Sequence, residues 1–107
     1  IGVAAFAYAR DKKSPVFLNA MGALKEILAN TSNIGNHMHY FEYYASQALF
    51  QGDFASWEEW NVKRVEQLLK MQNSDGSFEG NLGPSLSTAF GLLSIALNYR
   101  YLPIYER

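Results

Sequence analysis

Apolar residues in this chain recur at helical spacing or in blocks of helix length, never in the alternation that a half-buried strand needs. That pattern confines the fold to packed helices. Residues 2–9, almost all small or apolar, read as one helix, followed by the charged turn Arg10-Asp11-Lys12-Lys13. Ser14 then stands as an N-cap with Pro15 at the first helical position, a start signal that satisfies free N–H groups and presets φ. The helix it opens carries Phe17, Met21, Leu24, Ile27 and Leu28 on one face, ends near Asn30, and is followed by a polar link at 31–36.

The next two helices differ in kind. Residues 38–50 hold Tyr40, Phe41, Tyr43, Tyr44, Ala45, Ala48, Leu49 and Phe50 around the whole circumference, with Glu42 as the only charge. A helix apolar on all sides is expected to be enclosed by others. Gly52 closes it. Residues 56–72 are two-faced: Glu59, Lys63, Glu66 and Lys70 share one stripe in the Glu-before-Lys order that supports an exposed helix, opposite Trp57, Trp60, Val65 and Leu68. Residues 87–99 carry no charge and read as enclosed. Enclosed and two-faced helices therefore alternate, which predicts helical hairpins in two layers. A shift of 41 residues pairs Ala4 with Ala45, Ala7 with Ala48, Ile27 with Leu68 and Leu28 with Leu69, a period in the range of helical repeats.

A chain of 107 residues can bury about two-thirds of its unfolded surface, enough for one domain spanning 1–107. Nine Lys and Arg against ten Asp and Glu leave a net charge of −1, with no electrostatic footprint for nucleic acid or an anionic membrane. The absence of Cys excludes disulfides, thiolate metal sites and Cys nucleophiles. No apolar run approaches the roughly 18 residues of a membrane span. The chain begins Ile1-Gly2-Val3 inside an apolar run, so it is expected to be a piece of a longer protein, and its start is silent on compartment.

Between the last two helices lies a loop from Gln72 to Pro84. Asp75-Gly76 marks a turn, Phe78 is a candidate anchor, and the Gln72 amide stands where it can bond freed backbone groups at a helix end. A helix end followed by Gln-x-x-x-Gly-x-aromatic, here Gln72, Gly76 and Phe78, resembles the QW motif of the squalene-hopene cyclase and protein prenyltransferase superfamily. Phe78 stands where those cyclases usually have Trp. Ser87-Thr88-Ala89-Phe90-Gly91-Leu92-Leu93 resembles the inner-helix start of the same repeats. The ending Tyr99-Arg100-Tyr101-Leu102-Pro103-Ile104-Tyr105, and Tyr43-Tyr44-Ala45-Ser46-Gln47-Ala48-Leu49 followed by Trp57 and Trp60, are similar to uncharacterised bacterial members of that superfamily, many of planctomycete type. The resemblance implies an alpha-alpha toroid, of which this chain is about the last two and a half hairpins. It implies no particular activity.

The chemistry of that superfamily does not map onto these residues. Cyclases protonate their substrate from an Asp-rich segment before a Thr-Ala pair; here Pro84, Ser85, Leu86 and Ser87 precede Thr88-Ala89, and none is acidic. The prenyltransferase zinc set and the thioester of complement-like relatives both require a Cys. Asp75 and Glu79 read as a turn Asp and a solvated Glu rather than an acid/base pair. His37 and His39 splay apart on a helix and read as helix-start residues rather than metal ligands. Glu42 is expected to bond Tyr hydroxyls or a neighbouring helix terminus, with its pKa raised if enclosed without a cation. Tyr40, Tyr43, Tyr44 and Phe50, with Trp57 and Trp60, read first as core packing and second as the lining of a pocket for an apolar or cationic ligand. Tyr43 and Tyr44, being adjacent, are expected to face different ways.

The expectation is an all-α, two-layer helical protein with no catalytic residue, metal or cofactor of its own. Its ligand-binding candidates are Tyr40, Glu42, Tyr43, Tyr44 and Phe50; its motif residues are Gln72, Asp75, Gly76 and Phe78. The partner is a hydrophobic small molecule or a protein segment, with self-association through inner helices left uncovered. The alternative is a piece of a terpenoid cyclase whose acid lies in other repeats.

Overall fold

A computed structural model of the chain describes residues 1–8, 10–30 and 37–100, and the side chains of residues 1–5, 10–30 and 37–100. Ala9, the link at 31–36 and the ending at 101–105 lie outside the described residues, as does the side chain of Ala7. Among the described residues five α-helices follow one another: α1 (Gly2–Tyr8), α2 (Pro15–Ala29), α3 (Met38–Gly52), α4 (Phe54–Met71) and α5 (Pro84–Ile95), the last running into a 3-10 turn at Ala96–Asn98. No strand occurs among the described residues.

The caps explain the boundaries. The Ser14 hydroxyl accepts from the Phe17 N–H at 3.2 Å, with Pro15 at the first helical position. Asp53 accepts from the Ser56 N–H, so α4 starts at Phe54, earlier than its apolar pattern suggests. Pro84 likewise opens α5 three residues before Ser87, because its fixed φ suits a first helical turn.

Helix α3 is the centre and packs against α1, α4 and α5. Its buried residues include Ala45, Ser46, Gln47, Ala48, Leu49, Phe50 and Gln51, so the enclosure expected of it holds over its second half. Around it Val3, Ala4, Phe17, Met21, Trp57 and Leu97 complete the core. Glu59 and Lys63 pair at 2.7 Å on the open face of α4, as their spacing suggests. Ala4 and Ala45 are both buried where α1 meets α3. The 41-residue correspondence then fails: Leu68 is buried where α5 approaches it at Gly91, while its counterpart Ile27 is 42% exposed.

Helix α5 departs most from expectation. Its buried residues are the small Ser87, Gly91 and Ser94, which let it approach α3 closely, with Leu97 just beyond. Leu86, Leu92 and Leu93 lie on the other side, exposed. The helix is thus covered along one face only, although its sequence has no polar face to turn to water.

Candidate functional site

Two clusters meet at the N-terminal half of α3, one aromatic and open, the other charged and closed. On the open side Tyr40, Tyr43 and Tyr44 gather around Phe90 of α5. Tyr40 meets Phe90 edge-on with ring centres 5.5 Å apart, and Tyr44 lies 5.0 Å from Tyr40. Tyr43 touches both Tyr44, at 4.9 Å, and Phe90, at 5.6 Å. The adjacent tyrosines touch each other yet turn to different neighbours, Tyr43 to Phe90 and Tyr44 to Tyr40.

Among the described residues three cavities border this cluster, and Tyr40 lines each of the three. The first, about 380 Å³, is walled by Tyr40, Leu82, Leu86 and Phe90, with His37 at its edge. A second, about 290 Å³, lies between Val3, Leu24, Phe41, Tyr44 and Ala48. The third, about 200 Å³, is polar: His37, His39, Glu79, Asn81 and Ser87 contribute to its wall.

The loop 72–83 roofs the polar cavity and is tied down at several points. Gln72 donates from Nε2 to the Gly76 carbonyl at 3.0 Å, so its amide bonds a loop carbonyl and not the helix end. Asp75 accepts from both the N–H and the hydroxyl of Ser77, at 2.9 and 2.7 Å, and these bonds hold its carboxyl below the usual range. Gly76, at φ +87°, supplies the left-handed turn residue. Phe78 is 2% exposed and its N–H donates to the Thr88 hydroxyl at 2.9 Å, which makes it the anchor of the loop on α5. Gly80 passes so close to α5 that a β-carbon there would overlap the Ser87 side chain. Asp75 and Glu79 are both engaged within this loop, Glu79 accepting from the Asn73 amide at 3.3 Å.

Behind the loop lies the closed cluster. Arg64 of α4, 1% exposed, places Nη2 2.5 Å from Glu42 Oε2 and 2.9 Å from His39 Nδ1. A guanidinium only donates, so Nδ1 is the acceptor and the His39 ring carries its proton on Nε2. Nε2 in turn donates to the Glu79 carbonyl at 3.0 Å, fixing the loop to α3. Glu42 thus pairs with an arginine of α4, a partner that its place in the sequence did not suggest. Burial pushes its pKa up to about 7, with the Arg64 charge opposing. Burial lowers that of His39, the Glu79 carbonyl opposes this, and Arg64 adds to the lowering.

These shifts give stability two opposed pH dependences. Glu42 keeps its proton in the folded state up to about pH 7 but loses it near 4.5 when unfolded, so its contribution is complete below 4.5 and lost as pH rises through 7. His39 is neutral when folded where the unfolded ring protonates near 6.5, so its contribution is present above 6.5 and lost on acidification. We expect the unfolding free energy of Glu42→Gln, measured by urea titration, to lose the decline between about pH 4.5 and 7 that the parent chain shows. Parallel profiles for the two proteins would contradict this placement of Glu42.

Of the five ligand-binding candidates, the structure brings Tyr40, Tyr43 and Tyr44 together. Glu42 is buried behind them, and Phe50 has no exposed surface to offer a ligand. Sequence reasoning missed Arg64, although its position, seven after Trp57 and four before Leu68, puts it on the apolar stripe of α4. It also read Phe90 as enclosed core. Among the described residues no group of three or more His, Asp and Glu is arranged to hold a metal ion. No described helix is long and apolar enough to cross a membrane. Comparison with protein-family models, with curated proteins and with solved structures finds no match to this chain.

Proposed function

We propose that this chain is a helical binding module without catalytic residues of its own. Its groove between α3 and α5 takes an elongated apolar ligand bearing a hydrogen-bond-donating or cationic head. The observation that carries the reading is the junction of two cavities sharing His37, Tyr40 and Leu82, one apolar and one polar. Tyr40, Leu82, Leu86 and Phe90 suit an aliphatic chain, while the polar end offers the Ser87 hydroxyl, the Asn81 amide and the Glu79 carboxylate. Glu79 is the only carboxylate, and no lysine or arginine lines that end among the described residues, so an anionic head is repelled. The kinship with helical toroids suggested by Gln72, Gly76 and Phe78 belongs to the same proposal, since an aromatic inner face in such a fold suits an apolar ligand.

Dodecylamine, dodecanol and dodecanoate, titrated below their aggregation concentrations and followed by amide chemical shifts, separate the parts of this reading. We expect the amine and the alcohol to shift residues around Tyr40, Leu82 and Phe90, and the carboxylate to bind at least about tenfold more weakly, a difference of about 1.4 kcal/mol. Phe90→Ala is expected to weaken all three, while Glu79→Gln removes only the discrimination by head charge. Shifts scattered away from the groove, or equal affinity for the three heads, would overturn it.

A further inference from the structure

The outer face of α5 is a separate surface from the groove, with only Leu86 common to both. From Pro84 to Tyr99 the chain has no charged residue, and α5 spends its small residues on α3 while presenting its leucines to solvent. Leu86 is 51% exposed, Leu92 49%, Leu93 39% and Tyr99 67%, and Ala89 is exposed between them. Together they leave on the order of 400 Å² of apolar surface on one charge-free helix and its end, as much as the largest patch of an ordinary monomer.

The occupant of such a face must itself be free of charge, because a Lys or Glu pressed against leucines loses its hydration with nothing to replace it. Among the described helices longer than two turns only α5 meets that condition; α1 is also free of charge, but it is seven residues long and buries Val3 and Ala4 where it meets α3. The exposed apolar residues Val16, Leu18 and Ile27 of α2 lie on a helix that also exposes Lys25 and Glu26; Val62 and Leu69 of α4 share their surface with Glu58, Lys63 and Glu66. The best complement to α5 that this chain offers is therefore another α5. We infer that two copies associate through this face, their α5 helices antiparallel about a two-fold axis near Ala89. Leu86 of one copy then packs against Leu93 of the other, and the small Ala89 side chains let the helices come within the 8–10 Å typical of packed pairs. Two such patches bury on the order of 800–1,000 Å², which places the dimer at the weak, reversible end of specific association. The inference does not depend on the ligand proposed for the groove.

The absence of cysteine makes the test clean. Sedimentation equilibrium is expected to show a mass rising with concentration from 12.1 kDa towards twice that value. Ala89→Glu, at an exposed position, is expected to hold the mass at one chain with unchanged helical circular dichroism, weakening association at least about tenfold. Ala89→Cys is expected to oxidise to a covalent dimer, and Val62→Cys, on the outer face of α4, to remain largely uncrosslinked; this pair decides the matter should Ala89→Glu fail to fold. A mass of one chain at all concentrations would overturn the inference. So would association that survives Ala89→Glu, or cross-linking as ready at position 62 as at 89. Dodecanol shifts along Leu86, Ala89 and Leu93 of a chain that stays monomeric would give the face to a ligand and overturn it equally.

Discussion

At pH 8, where Glu42 is ionised beside its partner, Arg64→Ala is expected to cost about 3–5 kcal/mol of unfolding free energy, because it strands the Glu42 carboxylate in the interior and removes the donor to His39 Nδ1. Set against the 5–15 kcal/mol by which a domain of this size is normally stable, that is a large share. The loss reflects the broken pair and not a large net gain from having it. Only one end of the guanidinium is engaged: among the described residues Nη1 and Nε have no hydrogen-bond partner. A buried cation so incompletely satisfied is poorly compensated for the hydration it has lost. The double variant Arg64→Met with Glu42→Leu is therefore expected to recover most of the stability lost by Arg64→Ala, since two apolar side chains fill similar volume without a desolvation cost. Urea unfolding of the parent, the single and the double variant measures both statements. A single variant within about 1 kcal/mol of the parent would mean that Glu42 and Arg64 do not share a closed interior. The loop offers an independent readout, since His39 joins this cluster to the Glu79 carbonyl: amide exchange over residues 76–80 is expected to speed up in Arg64→Ala.

Phe50→Ala is expected to be as damaging, about 3–5 kcal/mol, by a different mechanism. The ring is 0% exposed, meets Trp57 edge-on at 4.9 Å and Phe54 at 5.7 Å, and lies under the Arg100 guanidinium at 5.5 Å. Nothing small can refill that space, because Phe54 and Trp57 are stacked on each other at 5.2 Å and would have to separate to do so. The thermal midpoint should fall by on the order of 15 °C, with a change in Trp57 fluorescence. At temperatures where the variant stays folded, the affinity of the groove for dodecylamine should be unchanged, because Phe50 takes no part in its wall. A selective loss of that affinity would return Phe50 to the binding site where its place in the aromatic series first put it.

Much of this architecture was legible residue by residue. Ser14 and Pro15 announce the start of α2, and Glu59 with Lys63 mark the wet side of α4. The apolar and aromatic residues around the circumference of 38–50 mark a helix with neighbours. The Asp75-Gly76 turn and the Phe78 anchor were legible as well. Each of these is set by atoms within about one helical turn, or by the hydropathy of a single segment, and a string of residues contains that information. The groove was half legible: the tyrosines of α3 stood out as an aromatic series, but the series also ran through Phe50, and periodicity alone does not say at which turn a helix passes from a covered stretch to an open one.

The remainder depended on which segment lies against which. Arg64 and Glu42 are 22 positions apart, and only Glu42 stood out, as a lone charge; their pairing exists because α3 and α4 pack together at that level. Phe90 and the leucines of α5 have equal claims to the interior by hydropathy. Close packing on α3 admits only Ser87, Gly91 and Ser94, so the larger side chains are sorted outward by volume. Local propensity and capping made these helices, and the steric fit between them chose which apolar surface is buried in the chain and which stays open for a partner.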